Sequence, residues 1–314
     1  MSTELKTETE RIAVVIPCYN EAASIEKVVR DFRGQLPEAT VYVFDNNSTD
    51  RSAEIAEAAG ATVIHSPRQG KGNVVRHMSD AVDADIYIMA DGDDTYPAGE
   101  VHRMLEKFRA EKLDMLVGTR LARHDNGAFR AFHKLGNDII TGLIRLLFRA
   151  PVTDALSGYR ILSRMFMDIV RIRSEGFEVE TEMTAQALTK RLAVAEIVVP
   201  YGARPDGSES KLNTWSDGFL IAKCMILLFK DYKPLAFFSV LSLLFAIASL
   251  ASGIAPILEF IETGLVLRIP RAILAAGLGI LSLVCLTAGL ILDTIAKFHQ
   301  ETIELWKEHL TVGH

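Results

Sequence analysis

The stretch Met89-Ala90-Asp91-Gly92-Asp93-Asp94-Thr95-Tyr96-Pro97 follows Ile86-Tyr87-Ile88, a short apolar run rich in β-formers. An apolar run closed by turn residues predicts a buried strand that empties into an acidic turn. Three carboxylates on one tight turn repel one another unless a cation joins them. Their hard oxygens suit Mg2+ or Mn2+. In an open α/β sheet, ligands bind outside the carboxyl ends of the strands, where this turn falls. The same letters also fit a plain Asp-Gly turn between two elements, so the rest of the chain has to decide.

Upstream, Ile12 to Ile16 reads as a strand ending at Pro17, and Ser24 to Leu36 has helical spacing with Ser24 as N-cap. Val41 to Phe44 is a second strand, followed by the polar cluster Asp45-Asn46-Asn47-Ser48-Thr49-Asp50. A helix over Ser52 to Ala59 stops at Gly60, and Ala61 to Ile64 is a third strand. Gly70-Lys71-Gly72 opens the next helix, and Ile86 to Ala90 is the fourth strand. Glu100 to Ala110 is helical, and Met115 to Gly118 is a strand ending at Thr119-Arg120. Strands alternating with helices predict a parallel, doubly wound α/β sheet. The polar loops after strands one, two and four then converge on one edge.

Composition adds bounds. The chain has 314 residues, a formal net charge of −6 and 49% hydrophobic residues. Without a basic surplus there is no signature for nucleic acid. Cys18, Cys224 and Cys285 are isolated, with neither metal spacing nor a disulfide framework, as in a reducing cytosol. Residues 1–11 form a polar tail with no hydrophobic core, so no cleaved signal peptide is expected.

The last third is far more apolar. Pro234 to Leu258 holds 25 residues without a charge and Ala272 to Leu292 holds 21. At about 1.5 Å per residue the shorter run spans roughly 30 Å, the thickness of a bilayer core. The expected division is 1–11 as tail, 12–216 as the α/β domain, 217–233 as a juxtamembrane amphipathic helix, 234–293 as a two-helix transmembrane hairpin and 294–314 as a second tail. Ser239, Ser242, Ser249, Ser252, Gly253, Gly277, Gly279 and Gly289 would allow close helix packing. Lys134 to Arg149 is basic and amphipathic, with Ile144 on its apolar face and Thr141 on its polar one. Both that segment and Asp217 to Phe229 fit an interfacial helix; an ordinary core-facing helix fits the former as well. Lys223, Lys230, Lys233 and Lys297 flank the spans, which mildly favours a cytosolic N-terminus. Association of such hairpins into a homo-oligomer stays open.

The order of motifs carries a resemblance. Val14-Val15-Ile16-Pro17-Cys18-Tyr19-Asn20-Glu21, Asp45 to Asp50, Gly70-Lys71-Gly72-Asn73 and Asp91-Gly92-Asp93 come in sequence. Asp154-Ala155-Leu156-Ser157-Gly158-Tyr159-Arg160, Arg204-Pro205 and Ser210-Lys211-Leu212 follow. This series resembles glycosyltransferase family 2. With the apolar hairpin it resembles the polyprenyl-phosphate branch, which includes dolichol-phosphate mannose synthases and undecaprenyl-phosphate sugar transferases. The resemblance implies a Rossmann-like, GT-A type domain at the cytosolic face of a membrane, in a bacterium the inner one. It implies inverting, metal-dependent transfer of one sugar from a nucleotide-sugar to a polyprenyl phosphate.

Residue by residue, the resemblance gives Pro17, Tyr19 and Glu21 to the base and ribose, and Asp45 and Asn46 to the base pocket. Asp91 and Asp93, flanking Gly92, would take the ribose and the metal, Mg2+ or Mn2+. Lys71, Arg204 and Lys211 would meet the donor, and Arg120 and Arg130 the acceptor phosphate. Asp154 matches a position proposed to lie beside the acceptor, as base or as orienter of Arg120 or Lys211; a structural ion pair is the alternative. The family often has Asp where Asn46 stands, and the mannose synthases commonly have Gln where Thr95 stands. Glu178, Glu180 and Glu182 alternate after Phe177 and are read as a helix start or ion-pair set. His65, His77, His102 and His133 are read as surface or structural, and Tyr87 and Met89 as strand packing. Ala122 to Arg130 fits either a loop over the acceptor phosphate or an inert connection. Two rival functions remain: a processive polysaccharide synthase, whose usual Gln-x-x-Arg-Trp motif the chain lacks, and a non-catalytic nucleotide-sugar-binding scaffold.

Overall fold

The computed structural model describes residues 10–120, 150–176, 178–202 and 229–312, with a few positions in 141–148 and 223–227. The chain divides into two compact units, Met1–Met225 and Ile226–His314.

The first unit is built on a seven-stranded sheet. In chain order its elements are β1 (Ile12–Cys18), α1 (Ile25–Gln35), β2 (Thr40–Asp45), α2 (Ser52–Ala58), β3 (Thr62–His65), α3 (Lys71–Ala81) and β4 (Ile86–Met89). A short 3-10 turn leads into α4 (Val101–Ala110), then β5 (Met115–Arg120), β6 (Arg160–Ser163), α5 (Arg164–Ile169), α6 (Val179–Thr189) and β7 (Val194–Val199). Alternation along β1 explains the layers. Ile12, Val14, Ile16 and Cys18 face a core shared with α1, α2 and α4, while Ala13 and Val15 face a core shared with α3, α5 and α6. Both faces of β4 are buried, which is why it reads as one apolar run. In α1 the expected stripe Ile25, Val28, Val29 and Phe32 is buried. Each such side chain is worth roughly 1.5–3 kcal/mol.

The strand order is β3-β2-β1-β4-β6-β5-β7. Strands β1 to β4 pair in parallel as the alternating pattern predicts, but β6 runs antiparallel to both β4 and β5. The sheet is therefore mixed rather than wholly parallel. Four residues and a buried arginine gave β6 no legible strand signature. The reversal has a consequence for the site. Arg160 opens β6 opposite Met89, the last residue of β4. The segment 154–159 that precedes β6 thus lies at the edge where β4 ends. A parallel strand would have put it at the far edge. The strand order also reverses between β1 and β4, which opens a crevice between their following loops.

Most of Lys134 to Arg149 and of Asp217 to Phe229 lies outside the described residues. Within the former, Ile144 is buried as its apolar face requires; Thr141 is also buried, and Leu146 is 76% exposed. The burial of Thr141 departs from the expected division of faces.

The second unit holds α7 (Pro234–Thr263) and α8 (Ile269–Val312). Both are long and apolar enough to cross a membrane, and only 6% and 11% of their most apolar windows are buried. A core helix of a soluble protein would be mostly covered, so that alternative does not describe them. Pro234 starts α7 where its missing N–H costs nothing, and Gly264 ends it in the left-handed conformation. The two helices meet through small residues. Ser242 and Ser282 lie 3.0 Å apart, Ser249 donates to the Ala275 carbonyl at 2.7 Å, and Gly289 admits Phe238 and the α7 backbone. After Arg271 no charge interrupts α8 until Asp293, and the helix continues unbroken through the polar residues to Val312.

Candidate active site

Three loops at the carboxyl edge carry the expected residues. Each contains one non-glycine residue in the left-handed region: Asn20 after β1, Asn47 after β2 and Asp94 after β4. Asn and Asp tolerate that region best, and such residues collect at functional edges. The loops are cross-tied. Asn20 Oδ1 accepts from the Thr49 N–H at 2.7 Å, the Asn20 N–H donates to Ser48 Oγ at 3.0 Å, and the Glu21 N–H donates to Ser52 Oγ at 2.8 Å. Glu21 is buried, Pro17 is half-buried at the end of β1, and Tyr19 stands exposed at 37%.

Asp45 is buried and caps its own loop through the Ser48 N–H, while His65 Nδ1 lies 3.4 Å from its other oxygen. Asn46 is beside it as expected, but its amide serves the protein. Nδ2 donates to the Ser66 and Arg68 carbonyls at 3.0 and 2.7 Å, and Oδ1 accepts from the Gly70 N–H at 2.7 Å. Asn46 therefore shapes the approach to α3, and a carboxylate there would have nothing to donate.

The acidic turn itself splits. Asp94 points to α1, where its carboxylate takes Lys27 Nζ at 2.7 Å. The three crowded carboxylates read from the sequence are thus two. Asp93 is buried, and its Oδ1 accepts from Thr95 Oγ1 at 2.6 Å and from the Thr95 N–H at 3.2 Å. Gly92 lies against Pro17 and Ile25, and its carbonyl accepts from Ser24 Oγ at 2.7 Å.

Lys71, the first residue of α3, reaches Asp91 Oδ1 at 2.5 Å and Glu180 Oε1 at 2.5 Å. Burial opposes its charge, but the Asp91 and Glu180 carboxylates outweigh that and raise its pKa above the lysine range. Glu180 thus takes the ion-pair role expected for the acidic set. Glu182 takes another: its oxygens accept the Arg173 and Ser174 N–H groups at 3.0 and 2.8 Å. That fixes segment 173–176 against the glycine loop. A Cβ on Gly70, whose φ is +118°, would fall 2.1 Å from the Glu175 carbonyl oxygen.

Arg120 closes the other side. Its Nε and Nη2 donate to Asp154 Oδ2 and Oδ1 at 2.7 and 2.8 Å, and its guanidinium lies 5.6 Å from the Tyr201 ring centre. Burial works against the Asp154 carboxylate, yet Arg120 holds its pKa below the usual range. Both Asp154 oxygens are thus committed to Arg120 in a two-pronged ion pair. Tyr96 OH joins the acidic turn to the 154–159 segment, accepting from the Gly158 N–H at 3.1 Å and lying 3.3 Å from Ser157 Oγ. Gly158 is pressed against Asp91: a Cβ there would sit 2.4 Å from Asp91 Oδ2.

Arg160 closes the motif Asp154 to Arg160, but its sequence gives it no role. It is fully buried and donates to the Ser157, Ala155 and Glu180 carbonyls and to Thr184 Oγ1. Arg130, Arg204 and Lys211 lie outside the described residues. Among the described residues no three His, Cys, Asp or Glu side chains form a cluster that could hold a metal. Asp91 and Asp93 do fit a divalent ion that takes its other oxygens from a diphosphate. Both are hard donors on one turn, and a Mg2+-type ion commonly sits on one or two carboxylates plus substrate phosphates. A cavity of about 350 Å³ between α3 and residues 166–172 shares no residue with this edge.

A mixed sheet of this order, with an acidic turn facing the crevice beside β1, defines a GT-A type sugar-transfer domain. Residues 13–170 match the model of glycosyl transferase family 2, and the chain belongs to that family. It is a glycosyltransferase. Among its relatives, glycosyltransferase AglJ of Haloferax volcanii is 32% identical over 305 residues, covering 95% of this chain and 98% of the relative. A dolichyl-phosphate hexose transferase of the same organism is 28% identical over 215 residues, 68% of this chain and 92% of its own. Among solved structures, glucosyl-3-phosphoglycerate synthase of Mycobacterium tuberculosis, in complex with Mn2+ and UDP-glucose, superposes with a TM-score of 0.57 at 21% identity. The match covers 70% of this chain and 78% of that one, and shows the fold.

Proposed function

We propose that this enzyme moves one sugar from a UDP- or GDP-linked donor to a polyprenyl phosphate, of undecaprenyl or dolichyl type, with inversion at the sugar carbon. One observation carries the reading. A carboxylate pair and two part-buried cation–carboxylate pairs meet at one sheet edge, in a chain that also holds two long apolar helices with exposed faces. The relative named for dolichyl phosphate supports the acceptor class.

Pro17, Tyr19, Glu21 and Asp45 form the nucleoside end. Asp91 and Asp93 hold Mg2+ or Mn2+, whose chemistry when bound is to neutralise the leaving diphosphate as a Lewis acid and template. Arg204 and Lys211 serve the donor phosphates, and Arg120 and Arg130 the acceptor phosphate. The Arg120 fork, held by Asp154, suits the planar oxygens of a phosphate. A phosphate monoester with a second pKa near 6 is mostly dianionic at neutral pH, so the acceptor is already a nucleophile. Positioning then supplies most of the acceleration, and a single in-line displacement inverts the sugar carbon. The hairpin anchors the enzyme in the membrane, with the catalytic domain on the cytosolic face, in a bacterium that of the inner membrane.

The test is transfer from labelled UDP- and GDP-sugars to a polyprenyl phosphate by the purified chain, with and without EDTA. Metal-dependent label in the lipid extract supports the proposal. Label in a polymer makes the enzyme a processive synthase, and label in neither with any donor removes the acceptor assignment.

A further inference from the structure

We propose that Glu180 is a positioning residue that sets how tightly Asp91 holds its divalent cation, and that it acts through Lys71. The inference rests on the metal assignment above.

An ammonium has three donors and no acceptor, and Lys71 gives one each to Asp91 Oδ1 and Glu180 Oε1. The Lys71 and Glu180 side chains are 11% and 5% exposed, so these charges act on one another with little screening from water. Lys71 therefore sits on an oxygen of a carboxylate that a divalent ion also needs. The two cations compete for Asp91, and Glu180 is the counterweight. It shares the ammonium, so Asp91 keeps part of its charge for the larger ion. Counted formally, Lys71, Asp91, Glu180 and Asp93 carry −2, which one dication neutralises.

The surroundings keep Glu180 in this position. It lies in the first turn of α6, where the helix dipole favours a carboxylate. Its backbone carbonyl accepts from Arg160 Nη2 at 3.0 Å, so the buried guanidinium pins it from behind. Lys71 breaks the matching rule: a cation at the first residue of α3 faces the positive end of that helix. Local preference does not place it there; its two carboxylate partners do. Gly70 and Gly72 let its backbone lie against the 174–175 carbonyls, and Gly158 presses on the far oxygen of Asp91. Neither end of the Asp91–Lys71–Glu180 chain has room to drift.

With Gln at 180, the amide still reaches Lys71 but no longer balances its charge. The ammonium then falls to Asp91. The experiment titrates Mn2+ alone against the purified full-length chain in detergent, following the free-ion signal by electron paramagnetic resonance, with thermal melts recorded beside it. Glu180→Gln is expected to raise the Mn2+ Kd by at least about tenfold, the lower bound set by one unit charge roughly 6 Å from a dication at the dielectric of water. Lys71→Met together with Glu180→Gln restores the formal charge of −2 and should return Kd to within about threefold of wild type. That non-additivity is what a path through Lys71 demands. Lys71→Met alone should tighten Mn2+ below the wild-type Kd, and it keeps the proposal testable if Glu180→Gln fails to fold. An unchanged Kd in Glu180→Gln, or a double variant no better than that single one, overturns the proposal. So does weaker binding in Lys71→Met. Wild-type protein that takes up no Mn2+, either alone or with saturating UDP or GDP to complete its oxygen ligands, overturns the metal assignment itself, a distinguishable result.

Discussion

Arg120 grips Asp154 through two parallel hydrogen bonds, at 2.7 and 2.8 Å, with the carboxylate almost wholly buried. Removing one partner of such a pair strands the other and costs on the order of 3 kcal/mol. Asp154→Asn should therefore lower the melting temperature and release Arg120. Acceptor kcat/KM should fall about 100-fold while donor affinity changes little. A loss confined to donor affinity would place Arg120 on the other substrate.

The same pair fixes a pH expectation. Asp154 has a folded pKa depressed below its unfolded value by Arg120. Its contribution to stability is present above the unfolded carboxylate range and is lost as pH falls through the folded pKa. Between pH 5 and 8 it stays ionised, so kcat/KM should show no limb assignable to Asp154. A rate–pH profile of wild type beside Asp154→Asn checks this. A limb near neutrality that vanishes in the variant would make Asp154 a general base.

Asp93→Ala takes one of the two turn carboxylates from the proposed cation site and leaves the Thr95 hydroxyl without its partner. Transfer should fall by about 1000-fold, in line with losing preorganised charge stabilisation at a leaving group. The far-UV circular dichroism should be unchanged. Near-normal turnover would remove Asp93 from the site.

How much of this was legible in the sequence follows from the range of the interactions. Strands β1 to β4 and their helices rest on local periodicity, and Asp45, Asp91 and Asp93 fall at strand ends that periodicity locates. The Lys71–Glu180 contact joins residues far apart in the chain, and only the β6 reversal and the packing of α6 bring them together. Nothing in Asp91-Gly92-Asp93-Asp94 tells which carboxylates share a side. Lys27, on α1, draws Asp94 away. Asn46 looked like a ligand contact because its place beside Asp45 was visible and its amide's three partners in the loop 66–70 were not.

Gly158 tests whether Asp91 must keep its present rotamer. A methyl there would lie 2.4 Å from Asp91 Oδ2 and 2.8 Å from Oδ1, closer than van der Waals contact allows. The carboxylate has to rotate, and Lys71 and the cation lose their alignment with it. Gly158→Ala should cut transfer by at least about tenfold, since sub-ångström misplacement of a catalytic group carries that scale of penalty. Overpacking should lower stability by only about 1–3 kcal/mol. An assay beside a thermal melt separates the two, and full activity would show that Asp91 has slack.

The hairpin offers a test that needs no substrate. Ser242 and Ser282 bring their hydroxyls within 3.0 Å across α7 and α8, and Ser282 Oγ also donates to the Ser242 carbonyl at 2.9 Å. Paired cysteines at these two positions should therefore close a disulfide under mild oxidant in native membranes, read as loss of two alkylatable thiols by mass spectrometry. Gly289 lies further along the same seam, where a Cβ would come 2.9 Å from Phe238 Cβ. With few polar contacts to hold apolar helices together, close approach through small residues supplies much of their attraction. Gly289→Leu should push the helices apart and reduce cross-linking at 242 and 282 several-fold. Cross-linking undiminished by Gly289→Leu would mean that close approach at Gly289 does not hold the pair together.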